Sequence, residues 1–110
     1  ANLVMVTGDD PVKAVHTLKK YIVHTHAKDG RKLFDKDPEK IYGLVFDDAV
    51  VDSSFIELPL GDGDVHFDSY LKALDEIGYK GFLTIEREVG DEPVKDILKA
   101  VDFLKERVEL

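Results

Sequence analysis

Apolar and polar positions along the chain change period several times, and each change marks an element. Leu3-Val4-Met5-Val6 is a continuous apolar run that predicts a short strand by propensity. Thr7-Gly8-Asp9-Asp10-Pro11 then supplies a turn, an acidic N-cap and a proline suited to a first helical turn. Val12, Val15, Leu18 and Ile22 fall near helical spacing, with Lys13, Lys19 and Lys20 on other sides, so a helix is expected to about Lys20. Ile22-Val23-His24-Thr25-His26 switches to period two and breaks at Lys28-Asp29-Gly30. It reads as a strand delivering ionisable side chains to its carboxyl end, with His24 and His26 on one face. From there to Lys40 the chain is too rich in Asp, Lys and Gly for a core element, and a long mobile loop is expected.

The second half repeats the alternation. Ile41-Tyr42-Gly43-Leu44-Val45-Phe46 and Ala49-Val50-Val51, parted by Asp47-Asp48, fit two strands of a small hairpin or an irregular excursion. Phe55-Ile56-Glu57-Leu58-Pro59-Leu60 is extended and limited by its proline to an edge or a loop. After the break at Gly61-Asp62-Gly63-Asp64, a short helix capped by Asp68 or a neighbour carries Tyr70, Leu71, Leu74 and Ile77 and closes at Gly78. Gly81-Phe82-Leu83-Thr84-Ile85-Glu86 is the clearest strand: Leu83 and Ile85 share one face, while Phe82, Thr84 and Glu86 share the other. A last helix opens near Pro93 with an apolar stripe of Val94, Ile97, Leu98, Val101, Leu104 and Val108. Its start, Gly90-Asp91-Glu92-Pro93-Val94-Lys95, nearly repeats Gly8-Asp9-Asp10-Pro11-Val12-Lys13 and supports two equivalent helix starts. Strands alternating with helices imply a mainly parallel α/β arrangement with functional groups at the strands' carboxyl ends.

Composition narrows this picture. A chain of 110 residues with 44% apolar and 35% charged positions suits one domain with a single core. The formal charge of −8 disfavours nucleic acid and anionic membrane surfaces as partners. With no cysteine, any metal must be held by nitrogen and oxygen, and a cytoplasmic location fits best. No apolar run approaches the roughly 20 residues of a membrane span. The abrupt apolar start without methionine is what a piece of a longer chain would show. Two imidazoles at a strand tip, with Lys28 and Asp29 just beyond, are the residue types a divalent-metal site with a polar substrate would use. Two solvated or hydrogen-bonded histidines satisfy the same pattern.

Three linked motifs add to that reading. Val23-His24-Thr25-His26-Ala27-Lys28-Asp29-Gly30, Leu58-Pro59-Leu60-Gly61-Asp62-Gly63-Asp64-Val65 and Gly78-Tyr79-Lys80-Gly81-Phe82-Leu83-Thr84-Ile85-Glu86-Arg87-Glu88 together resemble the C-terminal part of xylose isomerase-like TIM barrels. The resemblance implies the C-terminal βα units of a (β/α)8 barrel: two barrel strands and three helices, a partial barrel made complete by self-association. Ala1-Asn2 look like the end of the family's Asp-Pro-Ala-Asn, which would make residues 3–6 a loop or helical turn instead of a strand.

The same resemblance assigns roles. His26 and Glu86 would be ligands of a divalent ion (Mn, Mg, Co or Zn), with the remaining ligands upstream of residue 1. Glu86 would also be the catalytic base, while His24, Lys28, Asp29 and Arg31 would orient substrate. Glu88 is expected in a loop salt bridge. The implied activity is isomerisation or epimerisation of a sugar or sugar phosphate by proton transfer beside a carbonyl, in a homo-oligomer. Asp62 and His66 stand where the family usually has Glu and Asp, which puts that loop's contact with substrate in question. Two alternatives stay open: an abasic-site endonuclease-like, metal-dependent phosphodiesterase, and a non-catalytic fragment or interaction module.

Overall fold

The computed structural model describes residues 1–43 and 53–108. Residues 3–6 are not a strand: Leu3–Thr7 is a single π-helical turn that buries Met5 and Val6. The apolar run marks a buried side of that turn. Gly8, at φ 77°, takes the left-handed conformation that closes it and returns its N–H to the Leu3 carbonyl at 2.7 Å. Helix α1, Pro11–Leu18, starts as its sequence dictates: the Asp10 carboxylate accepts the Val12 N–H at 2.9 Å and proline occupies the first turn.

Strand β1, Thr25–Ala27, is shorter than expected and leaves His24 just ahead of it. Next comes the largest departure from the sequence pattern. Asp29–Lys32 is strand β2 instead of loop, paired antiparallel with β3, Phe55–Leu58. A short helix α2, Pro38–Ile41, lies between them and is capped by Asp37. Ile41 therefore ends a helix, and Tyr42 and Gly43 turn; the rest of the expected hairpin, Leu44-Val45-Phe46 and Ala49-Val50-Val51, lies outside the described residues. Composition concealed β2 because its polar side chains have partners within the chain, Asp29 in the interior and Arg31 at the surface.

Helix α3, Phe67–Glu76, has His66 at its N-cap position, with Asp68 inside the first turn. It leads through Gly78 to β4, Leu83–Ile85, which pairs with β1 in parallel: Thr25 faces Leu83, His26 faces Thr84 and Ala27 faces Ile85. Helix α4, Pro93–Lys105, follows. Its start resembles that of α1 in sequence, yet Glu92 does not cap the helix and pairs with Lys95 at 2.9 Å instead. The described residues thus form an α/β structure with two small sheets, one parallel and one antiparallel.

One face of the parallel pair is apolar. Leu83 and Ile85 pack on a core of Ala27, Leu60, Val65, Phe67, Leu71, Ala100 and Leu104, with Val15, Ala73 and Leu74 forming a second cluster between α1 and α3. Burying a side chain of the Phe67 or Leu71 class contributes about 1.5–3 kcal/mol each. The α4 stripe is rotated from its expected position: Ala100 and Leu104 face the core, whereas Val94 and Leu98 are 71% and 61% exposed. Val23 and Phe82, flanking the strands, are exposed as well. No helix among the described residues is long and apolar enough to cross a membrane.

Candidate functional site

The polar face of the β1–β4 pair carries the site. Alternation along β1 and β4 sends Ala27, Leu83 and Ile85 to the core, leaving His26 and Thr84 on the opposite face with His24 and Glu86 next in sequence. The parallel register then sets the pairing. The Glu86 N–H continues the ladder to the Ala27 carbonyl at 3.1 Å, so the carboxylate stands beside His26. His26 Nδ1 and Glu86 Oε2 are 2.8 Å apart, a hydrogen-bonded pair at the carboxyl end of both strands. One step back, His24 Nε2 lies 3.0 Å from Thr84 Oγ1, and the two imidazoles meet edge to face with centroids 5.3 Å apart. His24, Thr25, His26 and Lys28 border a cavity of about 210 Å³, whose other walls include Leu18, Ile22 and Tyr70.

Lys28 is buried behind this pair. Its ammonium lies 3.0 Å from Glu57 Oε2 and 3.7 Å from Glu86 Oε1, and also pairs with Glu88. Glu57 in turn accepts the Arg87 Nη1–H at 3.0 Å and the Glu88 N–H at 2.9 Å on its Oε1, and Arg87 Nε donates to Asp96 at 2.7 Å. Burial alone would lower the Lys28 pKa, but its bonds to Glu88 and Glu57 outweigh burial and raise it above the ordinary lysine value. For Glu57, burial pushes up while Lys28, Arg87 and the Glu88 N–H pull down, and the carboxyl ends below its usual range. Arg87 is held above its ordinary value in the same way, its bonds to Asp96 and Glu57 exceeding the effect of burial. Lys28, Glu57 and Arg87, whose charges would be costly alone, are thereby mutually satisfied.

The expected substrate residues separate into groups. His24 stays with the His26–Glu86 pair. Lys28 is adjacent to it but occupied by three carboxylates, and the expected Glu88 salt bridge is one of these. Asp29 organises the loop that follows β3. It is fully buried, and its carboxylate accepts N–H groups from Gly30 at 2.8 Å, Gly61 at 2.9 Å, Gly63 at 3.1 Å and Val65 at 3.1 Å, leaving it nothing to offer a substrate. Arg31 is directed to Asp64, with Nε 3.0 and 3.1 Å from the two carboxylate oxygens, and makes no contact with His26 or Glu86. Sequence reasoning passed over Glu57, Arg87 and Thr84. Thr84 could have been found by its parity with Glu86. Glu57 sits about 30 positions from either partner, in a stretch without a motif.

Among the described residues no group of three or more His, Asp or Glu side chains could hold a metal. The His26–Glu86 pair does fit two positions of such a site: donors 2.8 Å apart can share one ion at bond lengths of about 2.1 Å. Nitrogen and carboxylate oxygen together suit a borderline divalent ion.

Residues 1–107 match the family model described as xylose isomerase-like TIM barrel. An inosose dehydratase of Clostridium perfringens is 36% identical over 111 aligned residues, which cover 94% of this chain and 35% of the relative. The rhizopine catabolism protein MocC of Rhizobium meliloti is 40% identical over 82 residues, 74% of this chain and 24% of its own length. A crystal structure of a xylose isomerase domain protein from Planctomyces limnophilus superposes with a TM-score of 0.71 at 32% identity, covering 96% of this chain and 34% of that one. The chain spans about a third of the length of the inosose dehydratase. By the family match across residues 1–107, the chain belongs to the xylose isomerase-like TIM barrel family.

Proposed function

We propose that this chain supplies part of the active site of a divalent-metal-dependent enzyme that moves a proton beside the carbonyl of a polyhydroxylated substrate. The observation that carries the reading is the 2.8 Å approach of His26 and Glu86 at the ends of two parallel strands. His26 Nδ1 and a Glu86 oxygen would hold the ion together with ligands from outside residues 1–110. When bound, the ion supplies charge that lowers the cost of negative charge developing on a substrate oxygen. Glu86 would take or return the proton, a role supported by its ladder bond and its contact with His26. His24, steadied by Thr84 at the cavity edge, is the member of the expected substrate set best placed to meet a hydroxyl.

The relatives refine the reaction class. An inosose is a cyclic polyhydroxy ketone, and loss of water from it begins as sugar isomerisation does, with removal of a proton next to the carbonyl. Dehydration of a cyclic polyol ketone therefore stands beside isomerisation or epimerisation of a sugar or sugar phosphate, and names such as inosose dehydratase favour the former. A cytoplasmic location goes with the same reading. Grafting residues 1–107 in place of the matching third of the Clostridium perfringens inosose dehydratase tests it. The chimera is expected to dehydrate inosose with added Mn2+, and Glu86→Gln to lower kcat by about 10²–10⁴-fold. A Glu86→Gln chimera as active as its parent would contradict the reading.

A homo-oligomer is proposed on separate grounds. Val23, Phe82, Val94 and Leu98 are more than half exposed, and β1 and β4 each pair on one side only among the described residues. Produced alone, such a surface favours association with a second copy.

A further inference from the structure

Three buried charged side chains, Lys28, Glu57 and Arg87, link the β2–β3 hairpin to the end of β4, with side-chain exposures of 7%, 5% and 9%. Such a network gives little net stability over apolar packing of the same volume, so its distinctive contribution is placement. The division of labour within Glu57 is specific. Oε1 serves Arg87 and the Glu88 N–H, which fix the chain immediately after Glu86. Oε2 serves only Lys28 among the described residues. Lys28 lies among three carboxylates: it bonds Glu88 and is closer to Glu57 at 3.0 Å than to Glu86 at 3.7 Å, while the other Glu86 oxygen faces His26.

We propose that Glu57 is a positioning residue for the His26–Glu86 pair: it anchors the Lys28 ammonium on the hairpin side, at a distance that leaves the Glu86 carboxylate to His26. The inference rests on the functional reading above for its consequence, though not for its geometry. Without the Glu57 anchor, Lys28 has only Glu86 and Glu88 to satisfy a buried positive charge, and it closes on Glu86. The carboxylate is then drawn from His26, and the two donors no longer converge. A hairpin outside the parallel sheet thus controls whether the site is assembled.

The test exploits the two oxygens. Glu57→Gln can keep the acceptor that serves Arg87 and Glu88 while setting an amide N–H2 against the Lys28 ammonium, donor against donor. In 15N-labelled protein without added metal, the His26 imidazole nitrogen signals are expected to move away from their wild-type positions as the Glu86 partner is lost. With metal added, the Mn2+ dissociation constant is expected to rise about tenfold, the usual effect of removing a group that orients a ligand. Lys28→Met combined with Glu57→Gln removes the unanchored cation along with its anchor and is expected to return both readouts to wild type, which a purely structural defect would not do. Imidazole signals unchanged in Glu57→Gln would overturn the proposal, and so would a double variant as perturbed as the single one. Should Glu57→Gln fail to fold, Glu57→Asp, which stretches the same contact by one methylene, is expected to move the signals in the same direction, and no movement would count against the proposal. Mn2+ binding indifferent to His26→Ala would defeat the functional reading alone, because the imidazole measurement needs no metal.

Discussion

Lys28 and Glu57 show how a buried charge becomes tolerable. Burial works against the charge of each, and other contacts outweigh it: Glu88 and Glu57 favour the Lys28 ammonium, and Lys28, Arg87 and the Glu88 N–H favour the Glu57 carboxylate. The sign of the pH dependence follows. The Glu57 carboxyl is depressed, so its contribution is complete above the ordinary carboxylate pKa and is lost as pH falls through the folded value. Lys28 is raised, so its contribution is complete below the ordinary lysine pKa and is lost as pH rises through its folded value. Near neutrality both are intact. The urea midpoint of wild type is therefore expected to exceed that of Glu57→Gln at pH 7, with the gap narrowing steadily toward pH 3; a gap independent of pH would show that Glu57 is not ionised in the folded protein. That His26 and Glu86 lie on the face opposite Leu83 and Ile85 was legible in the sequence from strand parity. Glu57 and Arg87 were not, because their roles depend on a contact between distant segments that no local pattern encodes.

At the scale of elements, the loop at residues 61–65 joins β3 to α3. Its turn is organised by Asp29, whose four N–H contacts replace secondary structure there. Gly63 is required because a Cβ would come within 2.2 Å of Asp29 Oδ1 and 2.5 Å of the Gly30 nitrogen. An Asp29→Asn side chain would point an N–H2 at two of those donors. It is expected to cost about 3 kcal/mol, measured as a shift in the urea midpoint, since buried donors are left unsatisfied. A change under about 0.5 kcal/mol would mean that the loop is held by something else. Helices α1, α3 and α4, and strand β4, were legible because their apolar spacing and turn residues agree. The turn at Leu3–Thr7 was missed by propensity and anticipated only by the family resemblance, and strand β2 was missed. In the first, β propensity lost to the burial of Met5 and Val6; in the second, a polar stretch forms a strand because Asp29 and Arg31 find partners in the loop that follows β3.

At the scale of the molecule, the chain is a segment-sized match to relatives about three times its length, with one apolar sheet face covered and further apolar side chains exposed. Sedimentation velocity on the 110-residue chain is expected to show a concentration-dependent species larger than the 12.4 kDa monomer. A monomer across the micromolar range would remove the case for self-association. The central claim is the proposal that His26 and Glu86 share an ion, and pulsed electron paramagnetic resonance of bound Mn2+ tests it most directly in the inosose dehydratase chimera. The account predicts a nitrogen coupling from an imidazole that disappears in His26→Ala and weaker Mn2+ binding in Glu86→Gln. The same nitrogen coupling and affinity in both variants would contradict it.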